Sequence, residues 1–523
     1  MKRLLWAVVA VLCFGVGLVR ASDWLTDGGD NQRSGWQKDE HILTTANVKD
    51  MKILWTYQTG NQARALHSLM PALVVDNVQT SSGPKQIVIF SGISDNLYAL
   101  NAADGSVIWK QHYTYTPMAQ PARGGGGGQP QPSDPLKLNF LGPGGSSDTP
   151  VVGQKDAQGR WPVYWVDGGG FLHTINLADG TEIQAPIPFA PGKGWALNLV
   201  DNNVIYMPTG GSVHAIRLND PEHNVASWAD GSGGMWGRRG VVVDSHGIAW
   251  STTGDGVYDV DSKRYGNSVV GVQLSGVNLN LHDYFTPTNW EWLQKRDLDP
   301  NNTPTIFNYG GKEIMAASGK ECRVVLLDTT SAGGADHQTP LYKTEPFCNE
   351  EVDFQDRGSW GALSSWLDPN NVRWVIAPFW GPQHSKFKFP VTNTPPTVKG
   401  GVAAFKAVMV DGKIQLAPAW VSRDMDHGEP VIIANGMIFT YGSGDFTQQA
   451  SPEHGLDFDS SLRAGKASHT TLYVLDAQTG KELFSSGDQI KSFNHFTGVT
   501  VANGHVYLGT YDGTFYCFGL PGH

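Results

Sequence analysis

Cysteine is scarce in this chain of 523 residues, with four in total. No Cys-x-x-Cys-His pattern occurs, so covalently attached haem c is excluded, and any electron released by redox chemistry would leave to a separate acceptor. Charged residues are also few, at 17%, and the formal net charge is −11. An acidic balance of that size excludes a nucleic-acid partner, which needs clustered basic residues to hold the phosphate backbone. After the first 21 residues no window offers about 18 uncharged apolar residues, so no transmembrane segment is expected. Ala-, Glu- and Lys-rich stretches are lacking, which excludes coiled coils and helical bundles. Neither a nucleophile elbow nor a phosphate-binding glycine loop is found.

Glycine and tryptophan are plentiful instead, at 63 and 18 residues, beside 40% hydrophobic and 11% aromatic content. That much apolar surface excludes disorder, and irregular glycine spacing excludes collagen. A large, turn-rich, all-β fold remains.

The N-terminus reads as a secretory signal over residues 1–21. Lys2 and Arg3 precede an apolar run from Leu4 to Leu18, and Val19-Arg20-Ala21 supplies small residues at the cleavage site. Cys13 follows Val11-Leu12, which disfavours a lipoprotein anchor. Cleavage before Ser22 takes the net charge to −14 by removing Lys2, Arg3 and Arg20. An exported protein, periplasmic or extracellular, is expected. Cys322, Cys348 and Cys517 survive cleavage; a Cys322–Cys348 bridge and three apolar core thiols are both open.

A repeated strand–turn–strand unit dominates the rest. Leu97 to Trp109 turns at Asp104-Gly105, Phe171 to Ile183 at Asp179-Gly180, and Leu472 to Phe484 at Thr479-Gly480, with weaker copies near 213, 324 and 402. A second kind of strand recurs at Val204–Met207, Gly247–Trp250, Gly436–Phe439 and Gly504–Gly509, each followed by a glycine-rich turn. Four short strands recurring every 50 to 65 residues or so predict a β-propeller blade. Residues 22–523 then form a single β-propeller of about eight four-stranded blades, with seven as the alternative. Two segments without periodicity, 118–150 and 381–401, are expected to be inserted loops.

These repeats resemble the PQQ-repeat (quinoprotein alcohol dehydrogenase-like) β-propeller family, whose blades end in Ala-x-Asp-x-x-Thr-Gly-x-x-x-Trp. The matching residues are Ala99, Asn101, Asp104, Gly105 and Trp109, and Asp476, Thr479, Gly480 and Phe484. The opening Trp24 and Gly28-Gly29-Asp30-Asn31-Gln32-Arg33 are similar too. From Met235 to Asp328 the likeness reaches the family's site. It implies Trp236 as the floor beneath a pyrroloquinoline quinone (PQQ) ring and Lys320 as the basic contact to the quinone. It implies Asp297 as the catalytic base, and Asp255 and Asp299 as ligands of Ca²⁺ or a lanthanide. Such a set suits alcohol oxidation, which needs a base, a Lewis acid and a flat apolar surface. The partners it implies are a small alcohol or sugar and an external electron acceptor.

The family's adjacent cysteine pair is absent, and its glutamate metal ligand has no counterpart around Val166-Asp167-Gly168. On those absences rests the alternative, a non-catalytic propeller that binds a protein partner as a scaffold at the cell envelope. Each residue also has a structural reading: Trp236 as inter-blade packing, Asp255 as a tight-turn residue, Asp297 and Asp299 as part of a solvated loop, and Lys320 as an exposed charge. His384, His427, His454, His469 and His495 are too dispersed to suggest a metal site and read as surface or hydrogen-bonded residues.

Overall fold

Each repeat folds into its own small antiparallel sheet, and eight of these blades stand around a channel in a structure that is only 4% helix. The computed structural model describes residues 22–64, 66–114, 148–190, 194–349, 357–393, 397–448 and 460–522. Blades 1 to 7 occupy 73–112, 151–188, 198–229, 235–285, 305–343, 358–421 and 432–485. Blade 8 combines three strands from the C-terminus with Lys52–Gln58, which pairs antiparallel with Thr514–Gly519 and closes the ring between the two ends of the chain. Residues 1–21 and most of 118–150 lie outside the described residues. Within 381–401, Val391–Thr392 forms a short parallel pairing with Trp420 and Val421, so part of that insertion extends the sheet of blade 6. No helix among the described residues is long and apolar enough to cross a membrane.

The glycine and tryptophan of the repeat act together between blades. Gly105, Gly180 and Gly480 take φ of +71°, +76° and +71°, a left-handed conformation that glycine adopts without steric cost. The bare Cα of each turn lets an indole of the preceding blade lie against it: Trp55 on Gly105, Trp109 on Gly180, and Trp420 on Gly480. The same indoles donate Nε1–H to Ala102 O at 2.9 Å, Leu177 O at 2.7 Å and Ala477 O at 3.2 Å. At these three junctions one indole therefore supplies both apolar contact and a hydrogen bond.

Residues 22–37 thread through the channel and touch all eight blades in chain order. Trp24 exchanges backbone hydrogen bonds with Val74, and Leu25 O accepts from Val152 N. Asn31 O accepts from Asn198 Nδ2 and Val243 N, and Gln32 O from Ile306 N. Ser34 O and Gly35 O accept from Ser365 N and Ile433 N, and Gln37 Nε2 donates to Val501 O. Arg33, fully buried, fans its guanidinium onto Val241 O, Leu197 O, Asp27 O and Thr26 Oγ1. Arg239, also fully buried, bonds Leu363 O, Ser364 Oγ and Val431 O. These hydrogen bonds, with Asp27 Oδ1 3.7 Å from Arg239 Nε, let the charges stay buried.

Candidate active site at the channel mouth

The residues just ahead of the innermost strands meet at the channel mouth. Trp195 leads into blade 3, Trp236 belongs to blade 4, Trp360 lies near the start of blade 6, and Phe496 leads into blade 8. Trp236 lies between Trp195, at 5.7 Å between ring centroids, and Trp360, at 5.9 Å. Trp360 stacks on Trp380 at 5.3 Å and on Phe496 at 5.1 Å. Arg238 donates to Asp27 Oδ2 at 2.8 Å, which ties the N-terminal thread to the chain two residues after Trp236.

Lys320, Asp297 and Asp299 stand over one end of the row. The Lys320 ammonium is 5.5 Å from the Trp360 centroid, 2.6 Å from Asp297 Oδ1 and 2.7 Å from Asp299 Oδ1. Lys320 is buried rather than exposed, and although burial opposes its charge, the two aspartates hold its pKa above the ordinary value. Asp297 sits at the outer edge, its side chain 46% exposed. Burial and the neighbouring Asp299 charge raise its pKa against the pull of Lys320. The segment bearing Lys320 is pinned by the Cys322–Cys348 disulfide and by Asn349 Nδ2 donating to Lys320 O at 3.0 Å. Cys517 is a buried free thiol.

Asp255, partly exposed, follows Gly254, where an added Cβ would collide with the Trp236 indole, and its carboxylate feels the charges of Asp299 and Lys320. Burial, with the Asp299 charge added, pushes its pKa up to about 6. All five residues expected from the sequence therefore meet at one mouth. Around them are buried oxygens with no hydrogen-bond partner among the described residues: Asn267 Oδ1, Asn301 Oδ1, Asn302 Oδ1 and Ser318 Oγ. Unpaired buried acceptors cost about 1–3 kcal/mol each, and such a cost is met at sites that bind something. Their chemistry, carboxylate and amide oxygen, fits a hard cation such as Ca²⁺ or a lanthanide. The half-buried face of Trp236 suits a flat ring.

Across the mouth is a second set of groups that the sequence did not reveal. His495 Nδ1 and Asp445 Oδ2 are 2.5 Å apart, and Arg463 Nη2 is 3.8 Å from the same carboxylate. The His67 ring meets His495 edge-on at 4.9 Å. Glu429 is fully buried, and both of its carboxylate oxygens lack a hydrogen-bond partner among the described residues. Burial pushes its pKa up to about 8. The one signal in the sequence is position: Trp195, Trp360, Glu429 and Phe496 each sit three or four residues before an innermost strand.

No family model and no curated relative matches the sequence. Solved structures do match over almost the whole chain. The quinohemoprotein alcohol dehydrogenase of Comamonas testosteroni shares 13% identity at a TM-score of 0.54, covering 96% of this chain and 81% of its own. Quinohemoprotein alcohol dehydrogenase ADHIIG of Pseudomonas putida HK5 shares 10% at 0.55, with the same coverage. A europium-containing methanol dehydrogenase shares 13% at 0.57, covering 95% of this chain and 98% of its own. At such identities the likeness is one of fold: this chain has the eight-bladed propeller of the quinoprotein dehydrogenases.

Proposed function

We propose that the chain is an exported quinoprotein-type dehydrogenase that oxidises an alcohol or sugar hydroxyl, using PQQ and Ca²⁺ or a lanthanide and passing electrons to an external acceptor. The observation that carries this reading is the meeting of Trp236, Asp255, Asp297, Asp299 and Lys320 at one mouth, ringed by amide oxygens without partners. Asp255, Asp299, Asn267 and Asn301 would hold the cation, and Trp236 would support the quinone ring. PQQ, when bound, supplies the two-electron acceptor, and the cation polarises it.

The protein's own part is to bind, orient and take a proton. Asp297 is the partly open carboxylate of the Lys320 pair, and a base raised toward neutrality is suited to accept a hydroxyl proton near pH 7. Lys320 orients it from the buried side and balances Asp299. The aromatic row keeps water away from the reacting face.

The second reading, a binding scaffold, draws support from the same ion pair, because one lysine satisfies both aspartates. The two separate on reconstitution. Adding PQQ with Ca²⁺ or La³⁺ to the purified protein should give quinone absorbance and dye-linked alcohol oxidation. Asp297→Asn should retain the absorbance and lose at least about a hundredfold in rate, the scale of general-base catalysis. No bound quinone with either metal would remove the enzyme reading and leave the scaffold.

A further inference from the structure

Three blade junctions are sealed by an indole laid on a turn glycine, and the junction between blades 3 and 4 is built without one. In blades 1 and 6 the sealing indole stands directly across the sheet from an alanine of the third strand, Trp109 opposite Ala99 and Trp420 opposite Ala404. Blade 3 keeps the alanine, as Ala215, but the residue opposite it is Ala226. Residues paired across an antiparallel ladder project from the same face. The face bearing Ala215 and Ala226 is the one packed on blade 4, against Val270, Val272 and Leu279.

The facing turn shows the consequence. Gly276 lies between the third and fourth strands of blade 4, as Gly180 does in blade 2, and also holds a left-handed φ, +58°. A Cβ added at Gly180 would meet Trp109, whereas one added at Gly276 would meet nothing within 4 Å. A cleft of about 250 Å³ opens at this point, walled by Ala215, Arg217 and Asp220 from blade 3 and by Leu274, Gly276 and Val277 from blade 4. An apolar cavity of about 150 Å³ accepts a benzene ring, so a fused bicyclic ring has room here.

Arg217 gives the cleft its charge. It lies two residues along the strand from Ala215, so it projects from the same face into the junction. It is half-buried and makes no hydrogen bond or ion pair among the described residues. Asp220 does not compete for it, because that carboxylate is spent on its own turn. It accepts from Glu222 N at 3.1 Å and from Asn224 N and Nδ2 at 3.0 Å each, and these bonds hold its pKa below the ordinary value. A guanidinium with free donors at the rim of a flat apolar slot suits a carboxylate, which it grips with two parallel N–H bonds. A neutral ring would fill the slot and leave Arg217 unpaired; a small carboxylate would pair with Arg217 and leave the slot open.

We infer that this cleft binds a planar aromatic carboxylate, its ring lying against Gly276 where other junctions place an indole and its carboxylate paired with Arg217. The cleft shares no residue with the candidate active site, so this binding is independent of the dehydrogenase reading.

Calorimetry on the purified full chain, with no quinone or metal added, tests the binding with indole-3-acetate, indole and acetate as probes. Indole-3-acetate should bind at least about tenfold more tightly than either of the others, since each lacks one of the two recognised groups. Arg217→Gln should weaken indole-3-acetate about fivefold and leave indole unaltered. Ala226→Trp fills the slot from within the chain and should abolish binding of both ring compounds, in protein whose thermal unfolding stays cooperative. No binding of indole-3-acetate, equal affinity for the three probes, no response to Arg217→Gln, or binding that survives Ala226→Trp in folded protein would each overturn the inference. If Ala226→Trp does not fold, the response to Arg217→Gln decides alone.

Discussion

Glycine at the blade turns and carboxyls buried in the channel set the sharpest constraints at the scale of single residues. Gly180 combines φ of +76° with an indole that a Cβ would meet at 2.7 Å. Gly180→Ala therefore meets backbone strain and overpacking together, and should cost about 2–4 kcal/mol in denaturant unfolding, where alanine at an ordinary turn costs far less. Glu429 gives a pH effect of unusual sign. Its carboxyl titrates near 4.5 when unfolded and, through burial, near 8 when folded. Between those values the unfolded chain releases a proton that the folded chain keeps, so this group destabilises the fold as pH rises, by up to about 1.4 kcal/mol per pH unit. His214, lowered by burial to about 4, acts in the opposite sense over pH 4 to 6.5, so wild type alone does not isolate the effect. Glu429→Gln should raise the melting temperature at pH 8 more than at pH 5, and an equal shift at both pH values would contradict a protonated Glu429.

Among the elements, the segment from Gly319 to Asn349, which includes the last two strands of blade 5, has the heaviest duty, because it presents Lys320 to two aspartates from the preceding connection. The Cys322–Cys348 bridge spans 26 residues of it. Cys322→Ser with Cys348→Ser should cost about 2–4 kcal/mol of stability through the freer unfolded chain. It should also loosen the Lys320 pair, read as a shift of the pH dependence assigned to Asp297. The sequence left this pairing open because cysteine count and spacing do not fix a partner. The decision came from the fold, which brings the two Cα atoms to 5.3 Å.

At the scale of the whole molecule, closure is achieved twice, once by Lys52–Gln58 on the rim and once by the thread of residues 22–37 down the axis. Because the thread binds every blade, its loss should be felt globally. Arg33→Met removes hydrogen bonds to three carbonyls and leaves Asp27 beside fewer charges, so it should cost about 3–5 kcal/mol and lower the melting temperature in a single cooperative transition. Independent melting of one blade would contradict that account. The opening Trp24 to Arg33 stretch was visible in the sequence as a family likeness, and its role as a central thread was not, since its partners are spread from Val74 to Val501.

The same division runs through the protein. Blade number and turn positions were legible because each depends on residues close in the chain, alternating strands and a turn requiring positive φ, whereas the packing of an indole on the turn glycine of the next blade was not. The five candidate site residues came from the family likeness, as four lie within a single run from Asp255 to Lys320 and Trp236 shortly precedes it. Trp360, Glu429, Asp445 and His495 carried no motif, because a propeller assembles its mouth from one short lead-in per blade. Residues hundreds of positions apart become neighbours only when the ring closes. Sequence alone determined the repeating wheel; the tertiary closure decided which side chains face one another at its centre, since contacts across a channel leave no periodic trace along the chain.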